Sequence, residues 1–288
     1  MIIVKIYGGM ANQLFQYAAG YALALKHNVP LKLDLSYFYE ANTDTQRVFE
    51  LNKFFIDYQF ATQEDVDQVF KFSKLYYLWN KLLPISKKRF YGEKQPGFYK
   101  YFFNLGGNLY LRGYFQSEKY FIDCKQIILE QFVFKIDMAN QLQLSLKKIQ
   151  ESVTISLHVR LGDYLHPNAN SIMESFDLAY YKSAIEYMQM QFNHPRFLVF
   201  SDQIEIAKKL LHIDAELIYV DATFSKNADE DFYLMQSCQH HIITNSTFSW
   251  WAAYLNQQAH KKVVAPQKWY KKHFGDATDL YPENWVIL

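Results

Sequence analysis

Residues 2–7 form a nearly unbroken apolar run rich in β-branched side chains, and the run stops at Gly8 and Gly9. That pattern predicts a buried strand ended by a tight turn. Leu14, Phe15, Ala18, Ala22 and Leu25 follow at helical spacing, so residues 12–26 are expected to be a helix. The apolar stretch 30–35 has the length of a second strand. Strand, glycine turn, helix and strand make the unit from which parallel α/β sheets are built. Residues 62–103 are rich in lysine and aromatics, lack strand alternation, and read as a helical insertion.

A second series begins near Val153. Short apolar runs at 153–159, 197–200, 217–220 and 241–244 alternate with helical patterns at 178–192, 204–212, 229–238 and 249–256. Strands alternating with helices of this length indicate a doubly wound sheet. The two series together predict an α/β protein of two Rossmann-like domains facing across a cleft. They would span 1–150 and 151–288, with the boundary in the polar, Gln-rich helical segment 135–152.

Charge narrows the partners. The net value is +1, from 30 basic and 29 acidic residues, without the positive excess of a nucleic-acid-binding domain. Cys124 and Cys238 stand far apart and outside any CxxC pair, as expected of a reduced cytoplasmic protein rather than a disulfide scaffold or zinc site. The N-terminus lacks the basic flank and length of a signal peptide, and no stretch approaches the ~20 apolar residues of a membrane span. An intracellular protein, at most peripheral to a membrane, is therefore expected. Aromatics are abundant, with 24 Phe, 23 Tyr and 5 Trp. They fill cores but also stack on sugars and bases, so both uses stay open.

Three segments carry more than a fold requires. Gly8-Gly9-Met10-Ala11-Asn12-Gln13 joins the first strand to the first helix, where glycines admit a ligand to the backbone and the helix N-terminus attracts an anion. Asn12 and Gln13 serve equally as helix caps. His158-Val159-Arg160-Leu161-Gly162-Asp163-Tyr164 ends the strand 153–159, and strand alternation sends His158 and Arg160 to one side. A guanidinium there suits a diphosphate, or pairs locally with Asp163. Asn245-Ser246-Thr247-Phe248-Ser249-Trp250-Trp251 follows the run 241–244 and reads as an anion cradle made by a helix start. Trp250 and Trp251 read as core. The acids Asp229, Glu230 and Asp231 open a helix, where they suit its dipole rather than a metal.

With Gly113-Tyr114-Phe115-Gln116-Ser117-Glu118-Lys119-Tyr120-Phe121, Phe200-Ser201-Asp202, the run 231–253 and Tyr281-Pro282-Glu283-Asn284-Trp285, these segments resemble, in order, the bacterial α-1,2-fucosyltransferases of glycosyltransferase family 11. The resemblance implies a GT-B-like pair of domains, the N-terminal one on the acceptor side and the C-terminal one holding the donor. It implies metal-independent, inverting transfer from GDP-β-L-fucose to the 2-hydroxyl of a galactose-containing acceptor glycan. By position, Arg160 would hold the pyrophosphate, and His158 and Ser201-Asp202 would sit at the guanosine. Asn245, Ser246, Thr247 and Ser249 would line the phosphates, with Gly9, Asn12 and Gln13 approaching the donor from the other domain. Two departures stand out: Leu161 where the family often has a second arginine, and Gln203 where relatives often have an aspartate. For the general base, Asp163 comes first, then Glu118, then His158. Rival functions are a transferase for another nucleotide sugar and a non-catalytic carbohydrate-binding protein.

Overall fold

The computed structural model describes residues 1–39, 47–161, 177–271 and 278–288, so Asp163 lies outside the described residues. Two units emerge: Met1–Lys135 with Thr278–Leu280, and Ile136–Ala277 with Tyr281–Leu288.

In the first unit, Ile2, Ile3 and Val4 are wholly buried in β1 (Ile2–Lys5), as an apolar run covered on both sheet faces must be. Helix α1 (Met10–His27) follows and stops at Asn28, whose left-handed backbone returns its N–H to the carbonyls of Ala24 and Leu25. β2 (Leu31–Asp34) and β3 (Gln59–Phe60) extend the sheet on one side. Next come α2 (Gln63–Val69), opened by a Thr62–Asp65 capping box, then α3 (Lys74–Leu82), β4 (Phe90–Gly92), β5 (Leu109–Arg112) and α4 (Lys125–Gln131). The sheet is parallel throughout, in the order β3-β2-β1-β5-β4. The segment 62–103 thus supplies helices, as its spacing predicts, and also a sheet strand that its spacing hides. Three residues are too few to show alternation, and β4 is defined by its partner β5.

The second unit starts at α5 (Asn140–Gln150), which packs with it by burying Leu142, Ser145 and Ile149. Ser145 Oγ donates to the carbonyl of Phe224 at 2.9 Å. The segment expected to separate domains is therefore mostly part of this unit. The chain continues through β6 (Thr154–Val159), α6 (Leu178–Gln191), β7 (Arg196–Ser201), α7 (Ile204–Leu210), β8 (Glu216–Tyr219) and α8 (Ala228–Ser237). It ends with β9 (His240–Ile242), α9 (Thr247–Leu255), β10 (Val263–Ala265) and β11 (Val286–Ile287). Strand order is β11-β10-β9-β6-β7-β8, all parallel. Counted from β6 as the first strand, this is the 3-2-1-4-5-6 order of dinucleotide-binding folds, and the order reverses between β6 and β9. Trp250 and Trp251 are fully buried core, as read from the sequence.

Candidate functional site

Ligands of an open α/β sheet bind beyond the carboxyl ends of its strands, at the switch in strand order. In the second unit that rule selects the ends of β6, β9 and β7, which are neighbours. His158 and Arg160 end β6, Ser201 and Asp202 end β7, and Asn245–Ser249 follow β9. The local chemistry differs among them. Asp202 Oδ1 accepts from the Leu161 amide at 2.8 Å, and its Oδ2 lies 3.7 Å from Arg160 Nε. This carboxylate therefore braces the Arg160 turn. The N-cap of α7 is Gln203, with no side-chain cap, so Asp202 does not play the capping role that its position suggests.

His158 is buried, with its Nδ1 lacking a hydrogen-bond partner. Burial, reinforced by the Arg160 charge, pushes its pKa down to about 3. The imidazole is therefore neutral at physiological pH and a weak base, which argues against it as proton acceptor. A buried polar atom without a partner is uncommon in a finished fold and marks a place where a ligand can complete the bonding.

Helix α9 has Ser246 as N-cap residue with no side-chain cap bond, and its first backbone bond runs from Trp250 N to Ser246 O at 3.0 Å. The first-turn amides of Thr247, Phe248 and Ser249 precede that bond and point along the helix axis toward the strand ends. Side chains around them are partly committed. Ser249 Oγ donates to Ser246 O at 3.2 Å and is fully buried, and Asn245 Nδ2 donates to Trp269 O at 3.3 Å. The backbone of this turn, more than its hydroxyls, is what an anion would meet. The acids of α8 are structural. Asn227 caps the helix, Glu230 accepts from the Lys226 amide, and Asp231 accepts from Ser225 Oγ. Among the described residues no group of three His, Cys, Asp or Glu side chains is arranged to hold a metal ion.

In the first unit the switch lies between β1 and β5. Gly8 takes a φ of 78°, the left-handed turn that glycine permits, and Gly9 caps α1. Gln13, expected at the donor, is instead wholly buried. Its Nε2 donates to Gly8 O and Val48 O, and its Oε1 accepts from Glu50 N. It fastens the glycine turn, and Gln16 does the same to both backbone polar groups of Tyr7. Asn12 Oδ1 accepts from Gln116 Nε2 at 2.9 Å, joining the first segment to the Gly113–Phe121 motif. Glu118 lies in a short helical turn and pairs with Lys125 at 3.7 Å.

Sequence reasoning missed Glu93, which directly follows β4. Its carboxylate accepts from the amides of Tyr114 at 2.7 Å and Phe115 at 3.2 Å. Gly113 makes the approach possible, since a Cβ there would stand 2.5 Å from Glu93 Cβ. Phe115 is held at a φ of 52°, unusual for a non-glycine residue, by a ring packed among Tyr91, Phe102 and Tyr120. Burial raises the Glu93 pKa to about 7 against the lowering effect of the two amides. Tyr7, Tyr37 and Tyr114 cluster beside it, with Tyr7 and Tyr114 ring centroids 4.8 Å apart. The only trace of this site in sequence is the Gly113 motif, because β4 carries no strand signal of its own. A hollow of about 380 Å³ lined by Tyr21, Leu25 and Val29 opens at the start of β2, the edge opposite the strand carboxyl ends, and holds none of these groups.

The family model for Glycosyl transferase family 11 matches residues 72–288. An Escherichia coli "Alpha-1,2-colitosyltransferase" is 31% identical over 309 residues, covering 100% of this chain and 99% of its own. The Escherichia coli "O-antigen biosynthesis glycosyltransferase WbnK" is 32% identical over 299 residues, covering 98% of each chain. Cattle (Bos taurus) "Galactoside alpha-(1,2)-fucosyltransferase 2" is 28% identical over 157 residues, covering 50% of this chain and 44% of its own. A solved structure of a mutant of Arabidopsis thaliana FUT1 in complex with GDP shares the fold, with a TM-score of 0.51 at 12% identity over 98% of this chain and 74% of that one. With most of the chain matched by the family model and whole-length relatives at 31% and 32% identity, this protein is a member of glycosyltransferase family 11.

Proposed function

We propose that this glycosyltransferase moves L-fucose from GDP-β-L-fucose to the 2-hydroxyl of a galactose residue on an acceptor glycan, with inversion and without a metal. The observation that carries the reading is the β6–β9 switch point, where Arg160 and the first turn of α9 end neighbouring strands. A relative named for α-(1,2)-fucosyl transfer to galactosides supports the linkage. In this reading the diphosphate lies between the guanidinium and the α9 amides. Both bind it more tightly as it takes up charge in the transition state. His158 Nδ1 and Asp202 meet the guanosine.

The acceptor sugar docks at the carboxyl edge of β1, β4 and β5, where the tyrosine cluster offers stacking faces. Glu93 is the general base, ahead of Glu118, which pairs with Lys125, and of His158, which burial leaves a weak base. The acceptor oxygen attacks C1 of fucose, the C1–phosphate bond breaks, its electron pair leaves with GDP, and the acceptor proton passes to Glu93.

A second reading keeps the architecture and changes the donor sugar, since one whole-length relative is named an α-1,2-colitosyltransferase. Colitose is fucose without its 3-hydroxyl. A site built to bond that hydroxyl rejects the deoxy sugar by roughly 10⁴-fold. Parallel assays with GDP-fucose and GDP-colitose on galactose-terminated glycans, read by mass, test the proposal. Preference for GDP-colitose would transfer the assignment to the second reading, and product with neither would end both.

A further inference from the structure

Helix α3 shows two apolar faces. Tyr76 and Tyr77 pack inward on Val66, Val69, Phe70 and Tyr110, and buried Asn80 bonds the backbone of Arg89 and Phe90. That face anchors the helix. Leu75, Leu78, Trp79 and Leu82 form a second stripe at i, i+3, i+4 and i+7, exposed by 74%, 59%, 45% and 86%. Folding does not account for four large apolar side chains left in water on one stripe.

The surrounding charge indicates what covers it. Residues 71–92 hold six cations and no acid, in a chain whose net charge is only +1. Lys71, Lys74, Lys81 and Lys87 are exposed around the stripe. An apolar stripe bearing a tryptophan and flanked by lysines matches the boundary between acyl chains and anionic headgroups. We propose that α3 is a membrane-surface anchor that docks this protein on an anionic phospholipid bilayer. Leu75, Leu78, Trp79 and Leu82 enter the interface while the lysines contact headgroups. No helix of the described residues is long and apolar enough to cross a membrane, so the attachment is to one surface. The inference is independent of the donor and acceptor assignments.

Cosedimentation of the full chain with vesicles tests it. The protein should bind phosphatidylcholine vesicles containing phosphatidylglycerol, bind pure phosphatidylcholine vesicles far less, and dissociate as salt is raised. Lys74→Gln and Lys81→Gln should each weaken partition roughly fivefold. Leu78→Ser with Leu82→Ser should weaken it at least about tenfold. Melting temperature and transfer to a soluble acceptor should stay at wild-type values in all three variants. Wild-type protein that ignores phosphatidylglycerol, or variants that bind as well as wild type, would overturn the proposal. So would a dimer abolished by the leucine substitutions in a protein that binds no vesicles, which would give the face to a second copy of the chain.

Discussion

At the scale of single residues, Glu93 and Asp202 show how similar carboxylates acquire different tasks from their surroundings. Glu93 is partly buried and accepts from two backbone amides, so burial dominates and its pKa is raised to about 7. Glu93→Gln should preserve the amide bonds through its side-chain oxygen while reducing turnover about 10²–10⁴-fold, the usual contribution of a general base. Wild-type rate should rise with pH through about 7, and the variant's residual rate should not. A variant retaining the same rate and pH limb would remove Glu93 from the chemistry. Asp202 instead sits beside Arg160, both about one-third exposed, where an ion pair contributes at most about 1 kcal/mol. Asp202→Asn can still accept from the Leu161 amide, so melting should hardly change. GDP affinity should fall by about 1.5–3 kcal/mol if the carboxylate also reads guanine. Calorimetry showing equal GDP affinity would leave Asp202 as a brace alone.

At the scale of elements, the junction of β6 and β9 depends on neutral histidines. His241 lies between Ser156 Oγ and Asn256 Nδ2, each at 2.8 Å, so its Nε2 accepts from the amide and its Nδ1 donates to the hydroxyl. His240 Nδ1 accepts from the Lys262 amide at 3.0 Å, and its ring stacks on Phe192. Burial lowers the pKa of His158 to about 3 and of His240 to about 4, and holds His241 well below its ordinary 6.5. The unfolded chain therefore binds more protons than the folded one as pH falls below 6.5, and stability is lost in that direction. Each such group contributes a slope of about 1.4 kcal/mol per pH unit within its window. Glu93, whose pKa is raised, opposes one of the three between its ordinary 4.5 and about 7. Melting temperature should thus drop steeply from pH 6.5 to about 4, and His240→Gln should flatten the drop. An unchanged slope in that variant would show that His240 is already protonated in the fold.

At the scale of the whole molecule, two parallel sheets each offer a row of strand ends, and relatives at 31% and 32% identity span nearly the full chain. If diphosphate charge is met by Arg160 and the α9 amides, chelation with EDTA should leave transfer unchanged. Activity lost to EDTA and restored by a divalent ion would require a metal in that role. The assay is best run on whole protein with saturating donor, so that a change in affinity is not mistaken for a change in turnover.

Sequence alone determined what depends on local periodicity. The buried strands 2–7 and 153–159, the helices beginning near Asn12, Leu178 and Ile204, and the placement of His158, Arg160 and Ser246 at strand ends all follow from runs of apolar residues and their punctuation. The ordered motifs carried the family resemblance as well. Tertiary structure decided what depends on partners distant in the chain. β4 is a strand because β5, about twenty residues later, offers it a ladder. Gln13 is a brace because Val48 and Glu50 return to it. Asp202 holds the Arg160 turn across a separation of 41 residues. Glu93 became visible only when Gly113 and the strained Phe115 brought two amides to its carboxylate. Spacing along a chain reports which face a residue takes within its own element, whereas hydrogen-bond partners and burial are set by the elements packed against it.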